Sequence, residues 1–209
     1  MKTQIIPINQ ITDETLNRLA QDIKSGAVVV LPTDTVYGVA ADAFNEQAIS
    51  RIYELKQRPA GAALQILISS TQQAEQITQR NEQAQILAEH FWPGALTMIL
   101  RPNEKGQSLR RGFEGLGLRV PAHAELLRRL QAVQIPLACT SANVHGRPVI
   151  TQEAELADFF NGKVEWILTG GNLSPVASSV LDLTSEPTLL REGALLRTQL
   201  EKVLHNPIK

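Results

Sequence analysis

The sequence predicts an α/β domain in three layers, with a twisted, partly parallel sheet between helices. Three observations carry this prediction. Short apolar runs alternate with helical periodicities from one end of the chain to the other. Several runs are nearly unbroken and rich in valine, isoleucine or leucine, the pattern of strands covered on both faces. The chain has 209 residues, 43% of them hydrophobic and 20% charged, a composition that buries a large core without disulfides or a structural metal. No repeat, low-complexity tract, charged block or interdomain linker interrupts the alternation, so residues 1–209 read as one domain.

The elements follow in order. Residues 11–23 place Ile11, Leu16, Leu19 and Ile23 at roughly helical spacing. Residues 27–31 form a valine-rich run that reads as a buried central strand; Pro32 ends it and Gly38 closes the next loop. Asn45 caps a helix whose apolar face is Ala48, Ile49, Ile52 and Leu55. Residues 64–68 read as a strand, and Asn81 caps a helix through Ile86 and Leu87. Strands are predicted at 96–100, 116–120, 137–140, 165–168 and 179–183, and helices at 123–133 and 152–160. Residues 102–115 are the longest loop, made basic by Lys105, Arg110 and Arg111. Periodicity carries no pairing information, so the order of strands in the sheet is not readable.

Composition and motifs exclude several classes. Lys+Arg is 20 and Asp+Glu 21, a net charge of −1, so the chain is not a strongly basic nucleic-acid coat. Cys139 is the one cysteine, which excludes an internal disulfide and a CxxC metal site and fits a reducing, cytoplasmic compartment. No apolar run follows Lys2 as in a signal peptide, and none approaches the ~20 residues of a membrane helix. There is no P-loop, GxGxxG, HExxH or GxSxG motif, and the four histidines are scattered. The chemistry is therefore expected in loops at strand ends, where open α/β sheets hold their ligands.

Four loops carry unusual groups. Residues 32–38 cluster Thr33, Asp34, Thr35 and Tyr37 directly after a buried strand; a turn held by local hydroxyl bonds explains them equally well. Lys56 and Arg58 flank one residue before Pro59, either offsetting a helix dipole or converging on a polyphosphate. Thr140, Ser141, Ala142 and Asn143 follow a strand, with Gly146 and Arg147 beyond; they form a polar turn or a nucleotide contact. Arg119, Ser178 and Arg191 are polar groups at three further strand ends.

Taken together and in this order, these segments resemble the YrdC-like family of threonylcarbamoyl-AMP synthases, the TsaC type. The resemblance rests on LPTDTVYGVAAD (31–42), LKQRP (55–59), FWPGALTMIL (91–100), GLRVPAH (117–123), PLACTSANVHGRP (136–148), SSVLDL (178–183) and LLREGAL (189–195). It runs from about residue 26 to 195 and includes the KxR…SxN set of Lys56, Arg58, Ser141 and Asn143. It implies a single-domain fold with a twisted mixed sheet, flanking helices and a deep cleft on one side. The chain ends soon after its REG segment and so resembles the stand-alone form.

The resemblance implies a nucleotidyltransferase that joins L-threonine, bicarbonate and ATP into L-threonylcarbamoyl-AMP and pyrophosphate. A tRNA-modifying threonylcarbamoyl transferase complex then carries the group to adenosine 37. Contact with tRNA or double-stranded RNA belongs to the same expectation; a membrane does not. Carried over by position, Lys56 and Arg58 hold the ATP phosphates, and Ser141, Ala142, Asn143 and Arg191 line the nucleotide site. Thr35, Arg119, Thr140 and Ser178 touch threonine, Arg119 through its carboxylate. Mg2+ comes with the triphosphate, held mostly by phosphate oxygens and water. Ala62 and Ala63 stand where the family carries a proline, often preceded by His or Asn, so one polar contact to threonine is expected to be absent there; His145 replaces a serine. The residues leave one other class open, a paralogue that binds nucleotide or structured RNA without making the adenylate. Related domains in larger carbamoyltransferases need more chain than 209 residues hold.

Overall fold

Ten strands and seven α-helices alternate along the chain in a computed structural model that describes residues 2–57, 59, 62–173 and 175–209. They are β1 (Gln4–Pro7), α1 (Asp13–Lys24), β2 (Val29–Leu31), β3 (Gly38–Asp42), α2 (Glu46–Lys56), β4 (Gln65–Leu67), α3 (Thr71–Glu75), α4 (Glu82–Phe91), β5 (Leu96–Leu100), β6 (Leu116–Arg119), α5 (Ala124–Val133), β7 (Leu137–Ser141), α6 (Glu153–Phe160), β8 (Trp166–Thr169), β9 (Ser179–Asp182), β10 (Thr188–Arg191) and α7 (Arg197–Leu204). All the strands join one sheet in the order β1-β8-β2-β3-β7-β4-β6-β5-β9-β10. It is mixed: β1, β8 and β2 run parallel, as do β4 with β6 and β5 with β9, and the remaining pairs are antiparallel. No helix among the described residues is long and apolar enough to cross a membrane.

Helix starts follow the expected caps. The Asn45 side chain accepts the Ala48 N–H at 3.0 Å and Asn81 accepts that of Ala84 at 2.9 Å, filling donors that a helix N-terminus leaves open. The strand expected from residue 27 begins at Val29, because the two preceding donors are drawn elsewhere. Ala27 N–H closes α1 on Asp22 O, and Val28 N–H goes to the Glu165 carboxylate, itself paired with Arg51 at 2.9 Å.

β1, β3, α3, β10 and α7 were not legible. β3 reads Gly-Val-Ala-Ala-Asp, a poor strand by composition; two antiparallel neighbours, β2 and β7, hold it. β1 and β10 are edge strands of four residues. α7 is polar apart from Leu200, Val203 and Leu204, and it packs toward α4. The loop expected at 102–115 contains a 3-10 turn, Lys105–Leu109.

The two faces of the sheet are covered unequally. On one face Val28, Val30, Ile66, Leu118, Met98 and Leu181 pack into a core completed by α2, α4, α6 and α7. On the other, α1 and α5 cover the β8-β2-β3-β7 half and the Leu67 end of β4, with Leu19, Ile23, Leu126 and Leu130 over Val29, Leu31, Leu137 and Leu168. One register row shows the change. It reads Trp166, Val29, Ala40 and Cys139 under the helices, then Gln65, Gly117, Ile99 and Asp182 beyond them. The second half of the row lines a cavity.

Gly38 marks the closest approach in the covered half: a Cβ there would lie 2.4 Å from Cys139 Sγ. Gly38→Ala is expected to lower the unfolding free energy by about 1–3 kcal/mol, the cost of overpacking. Cys139→Ala should be non-additive with it in a urea-unfolding cycle. Additive effects would show that the sulfur is not what the glycine avoids.

Candidate active site

The cavity over the uncovered strands has a volume of about 710 Å³, within the usual size of a small-molecule site. Three levels of residues, two positions apart along the strands, line it. Arg119, Thr97 and Ser178 lie at one end with Thr35 and Arg191; Gln65, Gly117 and Cys139 form the middle; Ser141, Ala63 and Gly115 lie at the other end with Lys56 and Asn143.

At the first end, Arg119 is 1% exposed and organises its neighbours. Its Nε donates to Gly94 O at 2.9 Å, Nη1 to Thr35 Oγ1 at 2.8 Å, and Nη2 to Asp34 Oδ1 at 2.7 Å. Of the five guanidinium N–H groups, one on each terminal nitrogen is left without a partner among the described residues. Gly94 reaches Arg119 because it has no side chain; a Cβ would lie 2.2 Å from Phe91 O. The loop carrying Thr35 is held from within, as Thr33 Oγ1 accepts from Thr35 N at 3.1 Å and Val36 N at 3.2 Å. Thr33 is thus a turn residue, while the Thr35 hydroxyl reaches the arginine. Tyr37 ties the same loop to the end of β8: its hydroxyl donates to Gly171 O and accepts from Gly170 N.

Arg191 meets Arg119 at this end. Its Nε donates to Ser178 O at 2.9 Å and its Nη2 to Ser178 Oγ at 3.2 Å. Burial, and then the charge of Arg119, lower the Arg191 pKa from its ordinary value. Two guanidinium groups and one carboxylate, Asp34, line or back this end, which therefore carries net positive charge.

At the other end Lys56, 2% exposed, donates to Ser141 O, to Asn143 O at 2.6 Å and to Asn143 Oδ1 at 2.9 Å. Ser141 Oγ donates to the same Asn143 Oδ1 at 2.6 Å, and Asn143 Nδ2 to Arg147 O. The structure therefore brings Lys56, Ser141 and Asn143 together across 85 residues of sequence. It does so with the ammonium turned onto the loop rather than presented outward. Arg58 lies outside the described residues. Ala142 is fully buried, its N–H given to Tyr37 O and its carbonyl to Ile150 N, so it does not line the cavity; strand geometry turns it to the core between Ser141 and Asn143. Thr140 is buried and lines the cavity. Ser178 and Arg191, expected with different ligands, are hydrogen-bonded to each other.

Gln65, Thr97 and Gly117 belong to the site and carried no sequence assignment. A signal existed: each is a polar residue or glycine set between or beside apolar residues of a short strand, in QIL, LTMIL and LGLR. No group of three or more His, Cys, Asp or Glu side chains among the described residues could hold a metal ion.

Residues 21–193 match the model of the Sua5/YciO/YrdC family, described as telomere recombination. The chain belongs to this family. It is 39% identical over 207 residues to the threonylcarbamoyl-AMP synthase of Pyrococcus abyssi, covering 97% of this chain and 61% of that one. It is 35% identical over 197 residues to the threonylcarbamoyl-AMP synthase of Bacillus subtilis, covering 92% and 57%. The crystal structure of P. abyssi Sua5 complexed with L-threonine superposes with a TM-score of 0.90 at 38% identity, over 99% of this chain and 62% of that one. The chain thus spans about three-fifths of the length of these longer members of the Sua5/YciO/YrdC family.

Cys139 lies where the helix-covered half of the sheet meets the cavity, 1% exposed, with burial pushing its thiol from 9.0 up to about 12. A thiol of that pKa is neutral near pH 7 and is no nucleophile. In the unfolded chain it ionises near 9, so the stability linked to its protonation is present below pH 9 and lost as pH rises toward 12. The native protein should resist alkylation at neutral pH. Urea midpoints measured on either side of pH 9 should fall more for the wild type than for Cys139→Ser; equal falls would mean that the thiol is not buried as described.

Proposed function

We propose that this chain carries the synthase activity of its relatives, binding ATP, L-threonine and bicarbonate and forming L-threonylcarbamoyl-AMP and pyrophosphate. The observation that carries this reading is one continuous cavity with an arginine pair, Arg119 and Arg191, at one end and the Lys56–Ser141–Asn143 cluster at the other. The complex of P. abyssi Sua5 with L-threonine supports the same assignment.

In this reading the threonine carboxylate takes the two open N–H groups of Arg119, with the hydroxyls of Thr35 and Ser178 beside it, and the β7 segment at Thr140, between the middle level and Ser141, faces the rest of the amino acid. The threonine amine and bicarbonate lose water to give a carbamate. A carbamate oxygen attacks the α-phosphorus of ATP, and pyrophosphate leaves. The attacking group is already an anion, so the site needs alignment and charge neutralisation rather than a strong base. Ser141 and Asn143 hold the nucleotide, Lys56 supplies positive charge behind them, and Arg58 belongs to the same phosphate-binding set. Arg191, held at the Arg119 end by Ser178, directs its charge toward the nucleotide from that side. The cavity carboxylates Glu114 and Asp182 are too few to cage a metal, which fits Mg2+ arriving on the triphosphate and neutralising its charge. The product would pass to a tRNA-modifying threonylcarbamoyl transferase complex.

The test is incubation of pure protein with ATP, bicarbonate and labelled threonine, with the adenylate detected by mass spectrometry. Arg119→Lys loses the planar fork, and threonine affinity should fall about 10- to 150-fold, the range for hydrogen bonds to a charged group. ATP affinity should barely change. Ser141→Ala with Asn143→Ala should show the reverse order by calorimetry. Loss of ATP binding in Arg119→Lys, with an intact circular dichroism spectrum, would assign the two ends the other way round.

A further inference from the structure

Gln65 stands in the middle level of the cavity, and its orientation is set by a directed chain of hydrogen bonds. Arg191 Nη2 donates to Ser178 Oγ at 3.2 Å, Ser178 Oγ and Thr97 Oγ1 are 2.9 Å apart, and Thr97 Oγ1 donates to Gln65 Oε1 at 3.1 Å. The threonine hydroxyl has one proton and gives it to Gln65, so the Ser178 proton must point at Thr97. Every link then runs one way, from the guanidinium to the amide oxygen. Gln65 is on β4 and Thr97 on β5, with β6 between them. Neighbouring strands lie about 4.8 Å apart, so a side chain on β6 would stand between the two. The residue there is Gly117, which faces Gln65 and Ile99 in register. A Cβ at Gly117 would meet Thr97 Cγ2 at 3.4 Å, an ordinary contact, and its φ is not positive. The backbone does not demand glycine at this position; a side chain reaching beyond Cβ would enter the space that Gln65 crosses to Thr97.

With its carbonyl oxygen turned to Thr97, the Gln65 amide nitrogen faces the opposite way. One N–H meets the Cys139 thiol. The other opens to the cavity, and among the described residues no partner takes it. The middle level thus presents a fixed donor, one strand step of about 6.6 Å from Arg119 and one from Ser141. Between an amino acid held at one end and a nucleotide at the other, the group at that level is the carboxyl unit that joins them. We infer that Gln65 binds an oxygen of bicarbonate and of the carbamate made from it, orienting the attacking anion toward the nucleotide. The inference rests on the synthase reading above and names the residue that holds its third substrate. It also supplies a polar partner on the floor next to Ala62 and Ala63, which have none to offer from their side chains.

The experiment compares wild type, Gln65→Met and Gln65→Glu. Methionine keeps the length and removes the donor; glutamate keeps the shape and replaces the donor by an acceptor that repels the anion. At saturating threonine and ATP, the bicarbonate KM should rise at least ~10-fold in Gln65→Met, the scale of one lost hydrogen bond to a charged group, and further in Gln65→Glu. Threonine and ATP affinities measured by calorimetry in bicarbonate-depleted buffer should stay near the wild-type values. Thr97→Val, which frees the amide to rotate, should raise the same KM by a smaller factor. Melting curves confirm that each variant is folded. An unchanged bicarbonate KM in folded Gln65→Met, or a threonine affinity lost by the same factor without bicarbonate, overturns the inference while leaving the synthase reading intact. A wild type that forms no adenylate overturns both.

Discussion

The structure depends on one inequality: ten strands form a single sheet, but only half of its second face has a helix to cover it. α1 and α5 bury that face from β8 to β7 and over Leu67 of β4, and nothing equivalent among the described residues covers the rest of β4 or β6, β5 and β9. Strands that must be apolar on both sides under the helices become two-faced beyond them. Their inner side chains stay in the core, while their outer positions carry Gln65, Thr97, Gly117 and Asp182. An exposed apolar floor would have been a liability; a floor of polar groups and a glycine is a binding surface backed by a rigid sheet.

That rigidity matters because the site holds buried cations. Arg119 is almost completely enclosed, and its charge is tolerated because Asp34 pairs with it and Gly94 O and Thr35 Oγ1 accept its remaining inward donors. Arg191 adds a second positive charge at the same end. Holding these groups before any ligand arrives means that an incoming anion meets fixed donors and little reorganisation follows. Lys56 works differently. Its ammonium bridges the end of β7 and the turn after it, so it sets the shape of the Ser141–Asn143 segment and places charge behind it.

Much of the architecture was legible from the chain. The Asn45 and Asn81 caps, the buried strand after residue 27 and the strands near 96, 116, 137, 165 and 179 are local features, determined by periodicity and by single side chains that satisfy nearby backbone groups. β3, β1, β10 and α7 were not, because their residues carry weak local preference and are held by neighbours far away in sequence. Of the site, the polar loops and their resemblance to a family picked out Thr35, Arg119, Ser141, Asn143, Ser178 and Arg191, all of which line the cavity. Ala142 was carried along with its neighbours and turns into the core, since alternate residues of an extended segment face opposite ways.

The sequence by itself determined the class of fold, the element starts and the chemical types available at strand ends, because each depends on residues within a few positions of one another. Which of those residues share a surface was decided only by the tertiary structure. Gln65, Thr97, Gly117 and Cys139 are unremarkable in their own strands and become one floor through strand order and register, which no local pattern encodes. The pairing of Arg191 with Ser178 and the turn of Lys56 onto Ser141 and Asn143 have the same origin. They are contacts between distant segments, set by where the sheet places its strand ends.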